Sequence, residues 1–180
     1  MTSALIDLKQ DFFQLFNLPT RFQIDGDTLE RSFHALQVQV HPDKFAHLTE
    51  AERRHSMQWA TRVNEGYQTL RSPLNRARYL LSLHGVDTQE ESNTAMPADF
   101  LIQQMEWREA LEEAEQSRDG EALEALEQRV QHEMRFLQQQ LAVDIDDTRD
   151  YAAASGIVRK LKFLEKLGEE ISSAFDELDS

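Results

Sequence analysis

The chain has 180 residues, 33 acidic against 19 basic side chains, a formal charge of −14 and no cysteine. The missing thiols exclude a disulfide framework, a thiolate zinc site and a protein-held iron–sulfur cluster, each of which needs cysteine sulfur. The length suits one or two domains of roughly 100 to 150 residues, and the net charge opposes nucleic-acid binding, where a basic face neutralises phosphates. That charge is unevenly spread: residues 1–84 hold 10 basic and 9 acidic side chains, net +1, whereas residues 85–180 hold 9 and 24, net −15. No apolar run nears the roughly 20 residues of a membrane span, and the first ten residues lack the basic start and apolar stretch of a signal peptide. A cytoplasmic protein is expected.

Apolar spacing is helical almost throughout and strand-like alternation never persists, so the fold class is all-α. A short helix over Asp11–Asn17 carries Phe12, Leu15 and Phe16 and stops before Pro19. A second opens at Asp27, with Glu30 at capping-box spacing, and buries Leu29, Phe33, Leu36 and Val40 before Pro42 ends it. The pair Thr49 and Glu52 starts a third helix, whose stripe of Ala60, Val63, Tyr67 and Leu70 runs to about Arg71. Ser72 and Pro73 read as the cap and first residue of a fourth, which holds Ala77, Leu80 and Leu81 and stops at Gly85. Residues 86–97 are polar and aperiodic, which sets a domain boundary there. The expected division is residues 11–84, a linker over 85–97, and a bundle over 98–180.

Three amphipathic helices make up that bundle. The first, over Ala98–Gln116, has Phe100, Trp107, Leu111 and Ala114 on one face and ends near Asp119-Gly120. The second keeps Leu123, Leu126, Val130, Met134, Leu137 and Leu141 in line, and the third Ile157, Leu161, Leu164, Ile171, Phe175 and Leu178. On the first of these helices Leu101, Ile102 and Met105 lie roughly 100 to 200° off the core stripe, and their face continues as Glu106, Glu109, Glu112 and Glu113. Spacing alone admits two placements for them: a partner surface, or burial under a neighbouring helix or the first domain. Phe163 lies about 200° from Leu161, among Arg159, Lys160, Lys162 and Lys166, where a core aromatic is not expected.

Between the second and third helices stands His41-Pro42-Asp43-Lys44. Pro42 fixes its own φ and lacks an amide hydrogen, which makes a rigid tip with polar side chains on both sides. Alone, the tripeptide also suits an ordinary helix-ending turn. In context, between two amphipathic helices and ahead of Asn64, Tyr67, Leu70 and Pro73, it resembles the J domain of co-chaperones. The span from Asp11-Phe12-Phe13 through His41-Pro42-Asp43-Lys44-Phe45 to Arg76-Ala77-Arg78-Tyr79-Leu80-Leu81-Ser82-Leu83-His84-Gly85, followed by the acidic bundle, resembles the HscB family of J-type co-chaperones in iron–sulfur cluster assembly.

That resemblance implies an N-terminal J domain, a helical hairpin with short flanking helices, packed to a C-terminal three-helix bundle. It implies that His41, Pro42 and Asp43 dock on an HscA-type ATPase chaperone and stimulate its hydrolysis, with Lys44 and, on the second helix, Arg31 as candidate basic contacts. It further implies that Leu101, Ile102, Met105, Glu106, Glu109, Glu113 and Phe163 bind the IscU-type cluster scaffold protein. The chain would then be an activator of its partner's ATPase and not itself an enzyme. J domains usually carry a Lys/Arg-rich second helix; here Arg31 is the only fixed positive charge between residues 31 and 40, so steering toward an acidic chaperone is expected to be weak.

Other chemistries fit less well. There is no P-loop or GxGxxG, and no nucleophile or glycine-rich oxyanion turn beside His41. The histidines lack the i, i+4 spacing of helical metal ligands, and the Asp144–Asp150 run lacks the glycine and closing glutamate of a calcium loop. No metal or cofactor is expected, nor any oligomer. The alternative function is an acidic helical scaffold or nucleic-acid mimic acting through the −15 half. Mimicry would weaken steeply with salt, whereas an apolar patch with an acid rim would lose only part of its affinity.

Overall fold

The computed structural model describes residues 9–41, 49–90 and 96–178. Among them every regular element is a helix: α1 (Phe12–Leu15), α2 (Gly26–Val40), α3 (Glu50–Arg71), α4 (Pro73–Leu83), α5 (Ala98–Ser117), α6 (Gly120–Ala142) and α7 (Tyr151–Leu178), with a π-helical turn over Val143–Asp147 after α6. The chain divides into two compact units, Met1–Leu80 and Leu81–Ser180. The division falls inside α4, ahead of the segment expected to be a linker.

In the first unit the helix starts are set by side-chain caps. Asp11 accepts from the Gln14 amide at 2.8 Å while the Gln14 side chain accepts from the Asp11 amide at 3.1 Å. α2 is capped by Asp25 rather than the expected Asp27: its carboxylate accepts from the Asp27 amide at 3.1 Å and the Thr28 hydroxyl at 2.5 Å. Both aspartates are good caps, and the Thr28 hydroxyl favours the earlier one. The α3 box forms as expected, with the Glu52 carboxylate accepting from the Thr49 amide at 2.9 Å and hydroxyl at 2.7 Å. The Thr49 hydrogen bonds hold the Glu52 carboxyl below its ordinary pKa.

α2 and α3 pack through Leu29 and Val40 against Trp59, Val63 and Leu70, with Phe33 stacked on Tyr67 at 3.9 Å. The expected α3 stripe is shifted, since Ala60 and Tyr67 are half-buried while small Ser56 and Gly66 are buried. The reason is close approach. The Ser56 hydroxyl donates to the Val40 carbonyl at 3.3 Å, and α1 lies on Gly66, where a Cβ would stand 2.8 Å from both Phe12 Cδ1 and Phe16 Cε2. Phe16 is fully buried, and Phe12 is stacked on Tyr79 at 4.7 Å, so neither ring can easily yield. Gly66→Val is therefore expected to destabilise by roughly 2 to 3 kcal/mol through overpacking, read as a lower urea midpoint at unchanged slope.

α4 begins on Ser72, whose hydroxyl accepts from the Asn75 amide at 3.2 Å, with Pro73 as its first residue. It ends at Gly85, φ +73°, where the Gly85 amide donates to the Ser82 carbonyl at 3.0 Å and the Val86 amide to Leu81 at 2.9 Å.

In the second unit α5 buries Phe100, Trp107, Leu111 and Ala114, as its spacing predicts. α6 buries Leu123, Leu126, Val130, Leu137 and Leu141, with Met134 half-buried. α7 differs from expectation: Val158, Leu167 and the small Ala154, Ser155 and Ala174 are buried with Leu161, Leu164 and Ile171, whereas Ile157, Phe175 and Leu178 are half-buried. Because α7 packs along α6 and also meets α5, its buried arc is wide and takes in small residues as well as large ones. Arg118, at φ +51°, closes α5 through its backbone amide and donates from its guanidinium to the Leu178 carbonyl at 3.2 Å, so one residue serves two helix ends. The first residues of the expected linker are fastened to α7. The Thr88 carbonyl accepts from the Arg159 guanidinium at 3.1 Å, and the Glu90 carboxylate lies 4.0 Å from the Lys162 ammonium.

Candidate functional site

The chain offers two candidate faces, one in each unit. The first is the C-terminal end of α2. His41 is the residue just past the helix, exposed and in extended conformation at φ −61°, ψ 132°, the region imposed on a residue before proline. Beside it a shallow groove of about 410 Å³ runs between α2 and α3, lined by His34, Val38, Val40, Ala60 and Asn64. Pro42, Asp43 and Lys44 lie outside the described residues.

Arg31 is exposed at the opposite end of α2, ten residues from His41 or roughly 15 Å along the axis at 1.5 Å per residue. Its guanidinium donates to the Thr28 hydroxyl at 2.9 Å and lies 3.9 Å from the Asp25 carboxylate. The one fixed cation of this helix is thus held at its N-terminal cap, and α2 does not bring it to His41.

The second face is the outer side of α5. Leu101 is 44% exposed, Ile102 59% and Met105 63%, while Glu106, Glu109, Glu112 and Glu113 are exposed beyond them. Of the two placements that spacing allowed, the structure adopts the open one. The cause is the helix itself: Phe100, Trp107, Leu111 and Ala114 occupy the face turned to α6 and α7, which leaves Leu101, Ile102 and Met105 no interior to enter.

Phe163 departs from the sequence expectation. It is half-buried, edge-on to Phe100 with centroids 6.0 Å apart and stacked with Trp107 at 6.4 Å. Relative to Leu161 it sits at about 200°, but buried Leu167 sits at about 240°, so Phe163 lies at the rim of the wide arc that α7 buries. The Arg108 guanidinium covers the ring at 5.5 Å and reaches the Glu170 carboxylate at 3.2 Å. Lys160 likewise covers Phe100, with its ammonium 5.2 Å from the centroid. Phe163 therefore supports the aromatic cluster beneath the α5 face and presents only part of its ring.

One residue escaped the sequence reading. Phe136 on α6 is 50% exposed and lines a groove of about 500 Å³ with Ile102, Glu106, Glu133 and Lys160. The available signal was an aromatic one position off the Leu137 stripe. As a whole the second face has apolar knobs and carboxylates and no enclosed cleft, which suits a protein surface with apolar and basic groups better than a small molecule.

Residues 96–172 match the family model described as the HSCB C-terminal oligomerisation domain. The chain is 54% identical over 175 residues to the co-chaperone protein HscB homolog of Aromatoleum aromaticum, an alignment covering 97% of this chain and 99% of that one. The chain belongs to the HscB family of co-chaperones. Two solved HscB structures are similar to it over nearly its full length. Chaperone HscB from Vibrio cholerae gives a TM-score of 0.83 at 39% identity over 94% of this chain and 99% of that one. Human co-chaperone protein HscB gives 0.87 at 31% identity over 93% of this chain and 83% of that one. This HscB-family chain is accordingly a co-chaperone with an all-α fold, and no helix among its described residues is long and apolar enough to cross a membrane.

Proposed function

We propose that this HscB-family chain is a two-headed adaptor. The end of α2, with His41, Pro42, Asp43 and Lys44, engages an HscA-type ATPase chaperone and stimulates ATP hydrolysis. The outer face of α5, with Leu101, Ile102, Met105, Glu106, Glu109 and Glu113 and Phe163 behind it, binds the IscU-type iron–sulfur scaffold protein and brings it to the chaperone. Arg31, held at the Asp25 cap, contributes long-range charge and no contact near His41. A polar tip can favour one conformation of an ATPase only by touching its two states differently, so the chemistry stays in the partner.

The observation that carries the reading is the exposed Leu101–Ile102–Met105 patch running into an acid row on a helix whose own core stripe is complete. Three large apolar side chains left in water have no use within the bundle. Fully burying them with Phe163 stabilises a complex by at most roughly 6 to 12 kcal/mol, against about 4 to 15 kcal/mol lost on association. The surplus is at most about 8 kcal/mol, so the complex is no tighter than about micromolar and is exchangeable, as delivery requires.

The paired change Leu101→Ala with Met105→Ala tests this face. Scaffold affinity, measured by titration calorimetry, is expected to fall on the order of a hundredfold, while the thermal midpoint stays near wild type because both side chains are already exposed. Equal affinity of the double variant would remove the face from the proposal. A large loss of stability would return these residues to the core.

A further inference from the structure

The face on α5 does not stop at α5. Ile102 and Glu106 belong to the exposed patch, and they also form one wall of the groove of about 500 Å³ whose other wall is Phe136 and Glu133 on α6. The two apolar side chains, an aliphatic Ile102 and an aromatic Phe136, are 59% and 50% exposed, so each wall offers unburied hydrocarbon to whatever lies between them. The Phe136 position is roughly 100° around α6 from buried Leu137 and lies outside the row that α6 buries, Leu123, Leu126, Val130, Leu137 and Leu141.

Resting on the reading of the α5 face given above, we propose that the scaffold-binding surface extends across this groove onto α6, with Phe136 as a second aromatic anchor, and that the occupant is a segment of the scaffold protein carrying an apolar side chain flanked by a basic one. The charge of the walls selects that chemistry. Glu106, Glu133 and Asp99 face the groove against the single cation Lys160, whose ammonium already lies over the Phe100 ring. A basic flank on the guest meets an excess of carboxylates there, whereas an acidic one meets like charge. A second copy of this chain is the poorer guest, because residues 85–180 carry −15 and would meet −15.

Phe136→Ala and Glu133→Lys in the full chain test the extension, with scaffold affinity measured at two salt concentrations. Phe136→Ala is expected to weaken binding roughly tenfold with unchanged helicity and thermal midpoint, both following from its exposure. Glu133→Lys is expected to weaken binding at low salt and to flatten its salt dependence. If Phe136→Ala binds within twofold of wild type while the Leu101 and Met105 double variant loses binding, the extension is wrong and the α5 face stands. If neither variant loses affinity, both fail together. Should Phe136→Ala abolish a concentration-dependent self-association in sedimentation and leave scaffold binding intact, the groove is a contact between copies, and the proposal is overturned.

Discussion

Replacing His41 by glutamine is expected to reduce ATP hydrolysis by the partner chaperone to its unstimulated rate in a single-turnover assay, with scaffold affinity unchanged. The substitution suits the question because it leaves the backbone alone. His41 follows the last residue of α2 at φ −61°, ψ 132° and is exposed, and glutamine is as free as histidine to adopt that region before a proline. What changes is the side chain offered to the partner: an imidazole able to donate, accept or carry charge becomes a neutral amide of different reach. Acceleration requires a contact made better in one state of the ATPase than in the other, so losing that contact removes the stimulation and not merely affinity. Stimulation equal to wild type would refute the assignment of the α2 end. Loss of scaffold binding as well would show that the two heads are not independent.

Trp107→Ala carries the largest expected effect on stability. The indole is 1% exposed, edge-on to Phe100 at 6.1 Å and stacked with Phe163 at 6.4 Å, so its loss leaves a cavity at the centre of the bundle. Aromatic-to-alanine changes of this kind cost about 3 to 5 kcal/mol, which for a unit near one hundred residues lowers the thermal midpoint by roughly 12 to 30 °C. Circular dichroism on heating reads it directly. Met105→Ala, two residues away on the outer face, is the control and should shift the midpoint little. Below its melting temperature the Trp107 variant should still bind scaffold more weakly, because Phe163 and Phe100 lose the ring that holds them under the face. Equal midpoints for the two variants would mean the cluster is not what holds α5 to α7.

Features decided by neighbours in sequence were legible before any coordinates. The Thr49–Glu52 box, the Ser72–Pro73 start and the Gly85 stop are each settled within four residues, and all three form. The core stripe of α5 was legible too, because only one of its faces is covered. The departures have two causes: the α2 cap turns on a local competition, and the others depend on what another helix brings. Asp25 and Asp27 compete as caps on nearly equal terms until Thr28 takes a position. Ile157 and Phe175 look like core by size, but α7 meets two helices and its buried arc takes in Ala154, Ser155 and Ala174. Phe163 could not be placed from its own helix, since the rings that half-bury it come from α5. Phe136 was passed over for the same reason: the groove that gives it meaning has its other wall on α5.

The close approach of α1 to Gly66 reaches beyond folding, to the way this sequence can drift. At Gly85 the backbone alone is selective: φ is +73° and no atom lies within 4 Å of the place a Cβ would take, so asparagine can replace it without any second change. At Gly66 the backbone would accept any residue and the space accepts none, because Phe12 and Phe16 fill it. A larger residue becomes tolerable there only in a lineage where both rings have already shrunk or moved aside. The two glycines should therefore leave opposite marks among descendants of this chain, one varying alone and the other only in step with α1.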